Sequence, residues 1–271
     1  MRLPSLSAAL VGILTSSALA SPWGSRVVSY DPGAAVGSPY TDPASALGSP
    51  TRYTGIGSFP GAVTPFNPAF GENEIVSIGA GGHLTLELAQ PARDDARNPF
   101  GVDLLIFGNA GYIDMNFPVG VVGPLFGGSR GAILELSADG VRWETVAGVE
   151  PDGALPTLGY ADLTNPYSLA RGRVRTSFTT PVDPAFDPSG RTFAEVVAGY
   201  AGAGGGVGID LALTGLVRAA YVRISLPFSA TGTADIDAIA KVRAIPAPGA
   251  GLIIAIAPLF APRRRGARTK P

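Results

Sequence analysis

Five oxygen-bearing side chains in this sequence have the types and spacing to hold a hard cation. Asp103 opens the apolar run DLLIFGN and Asn109 closes it, Asp210 follows the glycines of GGGVGIDL, and Asp235 and Asp237 stand two apart in ADIDAIAKV. Residues two apart in a strand leave the same face of a sheet, so Asp235 and Asp237 are expected side by side. Two carboxylates so placed repel unless a cation, a base or water separates them. Calcium collects six to eight oxygens from carboxylates, amides and carbonyls, and the rim of a β-sandwich supplies such a set. These five residues are therefore the candidate Ca2+ ligands, expected to meet at one end of the fold. The spacing is neither an EF-hand nor a calcium repeat. The plainer alternative has Asp235 and Asp237 facing Arg223, Arg243 or solvent, with Asp103 hydrogen-bonded to a neighbouring loop.

Other chemistries find less support. Cysteine is absent, which removes thiol catalysis, Cys-rich zinc sites and disulfides together. The one histidine, His83, sits in the alternating run GGHLTLEL, where a sheet-surface role is expected rather than that of a general base. No G-x-S-x-G elbow occurs. GAGGGVG at 202–208 lacks the Gly-Lys-Ser/Thr of a phosphate-cradling loop and reads as a flexible turn. Tyr112, Phe117, Trp143, Tyr160 and Tyr167 could stack on sugars, although core or edge packing is the commoner use of such aromatics. Glycoside hydrolysis needs two carboxylates facing each other across a cleft, and no pattern singles out a pair.

The elements that must position these residues are strands. With 37 glycines and 25 prolines among 271 residues, the chain is broken into short segments. β-patterned runs recur at 26–30, 74–79, 83–88, 102–108, 132–137, 142–148, 219–227 and 234–244. SADG at 137–140 predicts a hairpin between two of them. Only RTFAEVVAGYAG at 191–202 hints at a helix. Eight or so short strands without a 40–50-residue repeat predict an all-β fold, a jelly-roll-like antiparallel β-sandwich over 21–245. The long connections 31–71 and 149–192 are of a size that is often functional or locally disordered.

The two ends carry addresses. Residues 1–20 have one charge, Arg2, then an apolar run ending in small residues at Ala18 and Ala20. That is the layout of a signal peptide cleaved before Ser21. Residues 246–271 begin with Pro246, Ala247 and Pro248, continue through an apolar stretch at 250–261 interrupted by Pro258, and end with Arg263, Arg264, Arg265, Arg268 and Lys270. As a helix the stretch reaches roughly 18–22 Å, against about 30 Å for a bilayer core. It can stop export and anchor transiently, its arginines held on the cytoplasmic side. Six of the 20 bases and none of the 21 acids lie in these ends, so 21–245 holds 14 bases against 21 acids, a net of −7. Such a surface repels nucleic acid.

VVSYDPGAAVGSPYTDPASALGSPTRYTG, VSIGAGGHLTLEL, NPFGVDLLIFGNAGY, LELSADGVRWETV and ADIDAIAKV, with the tail after them, resemble bacterial exported surface proteins that pair a β-domain with a PEP-CTERM sorting signal. The tail departs from the family's tripeptide at Ala247, where the family has Glu. The resemblance implies export, processing by an exosortase-type transpeptidase, transient membrane association and a place at the cell surface or in the extracellular matrix. It implies no enzyme activity. Two function classes follow: a non-enzymatic surface protein that binds extracellular polysaccharide or calcium, and a secreted carbohydrate-active hydrolase on a jelly-roll scaffold.

Overall fold

The computed structural model describes residues 21–34, 36, 39–128 and 131–245. The expected signal peptide, with Ala18 and Ala20, and the tail from Pro246 onward lie outside the described residues. Among the described residues no helix is long and apolar enough to cross a membrane.

Thirteen strands are formed among the described residues: β1 Gly24–Asp31, β2 Tyr53–Thr54, β3 Gly61–Ala62, β4 Val76–Ile78, β5 His83–Arg93, β6 Leu104–Gly108, β7 Gly111–Asp114, β8 Val122–Phe126, β9 Ile133–Ser137, β10 Glu144–Val146, β11 Val207–Ile209, β12 Arg218–Ser225 and β13 Ala234–Lys241. Two antiparallel sheets dominate, with orders β1-β5-β12-β9-β10 and β11-β6-β13-β4. Their facing side chains form one core: Leu84, Leu86, Leu134, Leu136, Val222 and Ile224 from the larger sheet meet Val76, Ile78, Leu104, Ile106, Ile236 and Ile239 from the smaller. Alternation along β5 and β12 aims these residues inward and turns Glu87, Tyr221 and Arg223 outward. The hairpin expected at SADG joins β9 to β10; Asp139 Oδ1 accepts from the Val141 and Arg142 amides.

The outer face of the smaller sheet is covered as well. Leu105, Phe107, Ala240 and Val242 pack beneath Phe178 and Trp23, so β6 is buried on both sides and its sequence reads LLIF without alternation. The covering layer draws on the connections expected to be functional or locally disordered, together with β7 and residues 193–203. Phe66, Tyr112, Leu158, Tyr160, Phe193, Val196 and Tyr200 form a second core within it. One helix, α1 Phe193–Gly199, belongs to this layer and starts with a capping box: Thr192 Oγ1 accepts from the Glu195 amide, and Glu195 Oε2 accepts from the Thr192 amide. GAGGGVG is not a loose turn. It runs into β11, and at Gly206, with φ +92°, a Cβ would press on the Phe107 ring. The glycines let the covering layer approach the sheet closely.

Candidate functional site

The smaller sheet decides where the expected ligands go. β13 runs antiparallel to β6, pairing Ile236 with Gly108 and Lys241 with Leu104. Asp103 therefore lies at one end, where its carbonyl accepts from the Val242 amide, and Asn109 at the other, where its amide donates to the Asp235 carbonyl. The six steps between Asp103 and Asn109 span about 20 Å. The five residues expected to converge are thus divided: Asp103 and Asp210 at one end, Asn109 and Asp235 at the other, Asp237 between. The expectation overlooked strand direction, which carries the two ends of DLLIFGN apart.

Asp103 is buried and fastens three segments. Its Oδ2 accepts from the Leu211 amide at 2.9 Å, and its Oδ1 from Asn98 Nδ2 at 2.7 Å and the Asp95 amide at 3.3 Å. This is the loop-bonding alternative. Burial raises the Asp103 pKa; the three donors oppose that and Asp210 adds to it. Asp210 caps a short 3-10 turn, Leu211–Thr214, accepting from the Ala212 amide at 2.8 Å. Asp94, in the turn after β5, completes a group whose oxygens, one per residue, lie within 4.8 Å of one another. Sequence reasoning passed over Asp94; the doublet Asp94-Asp95 directly after a long strand was the signal available.

Asp235 and Asp237 flank Ile236, which faces the sandwich core, so both look toward the covering layer. Neither meets Arg223 or Arg243. Asp235 Oδ1 accepts from Ser77 Oγ at 2.5 Å and its Oδ2 from Thr233 Oγ1 at 3.2 Å. Asp237, 2% exposed, accepts from the Thr51 amide at 2.8 Å and its hydroxyl at 3.1 Å. Burial pushes its pKa up to about 8 against those two bonds, with Glu74 adding to the rise. A third buried acid, Asp152, was not anticipated. It accepts from the Ala110 amide at 2.9 Å and the Asp235 amide at 3.4 Å, and a Cβ at Gly108 would collide with its carboxylate. Burial and the Asp235 charge lift its pKa to about 7. The cavity beside it holds about 10 Å3, room for one water and no sugar.

The aromatic candidates separate by exposure. Tyr112 and Tyr160 belong to the second core. Trp143 lies under the Arg223 guanidinium, 3.7 Å from its ring centroid, on the outer face of the larger sheet. His83 stands on the same sheet with Nε2 3.1 Å from Ser29 Oγ. Phe117 is 74% exposed and packs against Tyr167 with centroids 5.1 Å apart. The Tyr167 hydroxyl donates to Asp114 Oδ2 at 3.1 Å, which fixes the ring. Beside this pair lies a groove of about 270 Å3 lined by Phe59, Pro60, Asn67, Tyr167 and Leu169. Phe59 and Leu169 project from it, 80% and 75% exposed. Phe59 lies in SFPGA, a turn whose lone aromatic gives no periodic signal, so it was not singled out.

This arrangement can present flat apolar rings to a ligand on one surface and three carboxylates to a cation at another. The acids with the highest pKa values lie under the covering layer, away from either. No protein-family model matches the chain, and no curated protein matches it with significance.

Proposed function

We propose that the chain is an exported surface or matrix protein whose sandwich domain binds extracellular polysaccharide without transforming it. On this reading a signal peptide ending at Ala20 delivers it, and a PEP-CTERM-like tail starting at Pro246 sorts it through an exosortase-type transpeptidase. The observation that carries the binding role is the groove at Phe59 and Tyr167: an exposed ring beside a half-buried one, with the Asn67 amide next to them, suits stacking on a sugar face. The domain itself reads as a jelly roll. Leaving aside β1 and the two small hairpins, the eight sandwich strands in chain order form sheets 1-8-3-6 and 2-7-4-5, the wrapping of a double Greek key.

Affinity electrophoresis through soluble β-glucan, xylan and alginate tests the reading. Retardation is expected in at least one, and Phe59→Ala should weaken it about tenfold, the loss of about 1.4 kcal/mol of stacking. Equal mobility in all three gels, or retardation indifferent to Phe59→Ala and Tyr167→Ala, would remove the groove from consideration.

A second ligand is supported by the carboxylates of Asp94, Asp103 and Asp210, which repel one another when empty. Calcium there should raise the melting temperature by mass action, by several degrees at a hundredfold excess over Kd, relative to chelator. Asp210→Asn should abolish most of that shift. Superimposable melting curves with calcium and with chelator would exclude the site.

A further inference from the structure

The geometry points to a membrane-facing end of the sandwich, where a basic cleft at the meeting of the domain's two chain ends receives the phosphate of an anionic phospholipid. This inference rests on the reading of the terminal segments as membrane-directed.

The cleft encloses about 420 Å3 between the end of β5, the turn after it and the end of β13. Arg93, Arg97, Lys241 and Arg243 line it, in a domain of net charge −7 by the count above. Asp95 is the one carboxylate of the lining, and Arg97 grips it with Nη2 to Oδ2 at 2.6 Å and Nε to Oδ1 at 2.9 Å. Lys241 feels the same charge at longer range and reaches Gln90 Oε1 at 3.4 Å. Among the described residues Arg93, Lys241 and Arg243 form no ion pair. Asp103 stands behind Asn98, buried, and accepts hydrogen bonds from Asn98, Asp95 and Leu211. The cleft therefore offers three cations outside any ion pair, two of them with the planar donor forks that suit phosphate oxygens.

Its position supplies the partner. The Pro22 carbonyl accepts from the Lys241 amide at 2.8 Å, and the Ile245 amide donates to the Arg97 carbonyl at 3.1 Å. The chain enters the domain and leaves it at this one cleft. Cleavage before Ser21 would add an α-amino charge one residue from Pro22. Four residues, and so five chain steps, separate Ile245 from Ala250, the first of the apolar stretch, a reach of at most roughly 17 Å. A tail inserted in a bilayer thus holds the cleft near the headgroups. Ile245, more than half exposed and hydrogen-bonded to Arg97, places apolar surface beside the charges, the combination that interfacial segments use.

The test uses the full chain in nanodiscs of phosphatidylcholine, alone or with about 30% phosphatidylglycerol, followed by hydrogen exchange. Amides of 93–98 and 241–245 should exchange about tenfold more slowly when phosphatidylglycerol is present. The triple variant Arg93→Ser, Lys241→Ser, Arg243→Ser should lose that protection while melting as the wild type does. Arg93→Lys with Arg243→Lys should keep most of it. Equal exchange in both lipids, protection unaffected by the triple variant, or equal protection by glycerol phosphate or alginate without a bilayer would overturn the inference. A chain that fails to join phosphatidylcholine nanodiscs at all would instead sink the tail reading; salt-sensitive flotation with phosphatidylglycerol vesicles would then still support the cleft, and its absence would count against it.

Discussion

Replacing Arg52 by alanine should cost about 3 kcal/mol of stability, since it leaves charge-assisted bonds unmade and removes a ring contact. The guanidinium inserts between segments of the covering layer. Nη1 donates to the Gly159 carbonyl at 2.5 Å and to Thr176 Oγ1 at 3.1 Å, while Nη2 donates to the Thr176 carbonyl at 2.9 Å. Its central carbon sits 3.8 Å from the Phe178 ring centroid. Burial and the nearby Arg175 lower its pKa to about 10, so it stays charged at neutral pH. Lysine at this position has one point charge in place of a planar fork and should recover less than half of the loss. Denaturant melts should register the drop, and hydrogen exchange should show the amides near Gly159 and Thr176 opening first. An alanine variant within about 0.5 kcal/mol of wild type would mean that the layer is held by its apolar core instead.

Stability should fall as pH rises from about 5 to about 8.5, by a few kcal/mol in all. Asp152 and Asp237 have folded pKa values raised to about 7 and about 8, and that of Asp235 is raised as well. A carboxyl whose folded pKa exceeds its unfolded value near 4 binds its proton more tightly in the native state. Its contribution is complete below the unfolded value and is lost as pH climbs through the folded one. The lowered acids, among them Asp95, Asp114 and Asp162, act oppositely and lose their contribution as pH falls through their folded values. A maximum near pH 5 follows. Asp237→Asn mimics the protonated acid, accepting from the Thr51 amide and donating to its hydroxyl, so it should match wild type at pH 5, exceed it at pH 8 and flatten the slope. Asp237→Ala should be weaker at every pH, by about 1–3 kcal/mol, because the Thr51 amide is left unmet. A wild-type profile that rises from pH 5 to 8 would contradict the burial of these acids.

Much of the framework is written in local pattern. The eight runs expected as strands overlap β1, β4, β5, β6, β9, β10, β12 and β13, and the T-x-x-E of α1 marks its start. Side-chain alternation and turn chemistry act over a few residues, so they survive in the sequence. β2, β3, β7, β8 and β11 did not stand out. They run two to five residues among glycines and prolines, too short for alternation to show, and β11 is held by β6, far away along the chain. The covering layer escaped for the same reason. Tyr112, Leu158, Phe193 and Tyr200 share a core only because the chain folds back over the smaller sheet.

By itself the sequence determined that this is an all-β chain of short antiparallel strands, and it offered some of the acids now found in groups. Tertiary structure alone decided how those residues group. Antiparallel pairing of β6 with β13 sends Asp103 and Asn109 to opposite ends, and the covering layer buries Asp152 and Asp237 beyond the reach of a sugar. The Trp23–Ala240 bridge and the packing of the two sheets bring Pro22 and Ala244 to one cleft with Arg93, Lys241 and Arg243. The physical reason is range: propensity and alternation are local, whereas the grouping of charges depends on contacts between residues far apart in the chain, fixed only once the sheets have paired and the layers have closed.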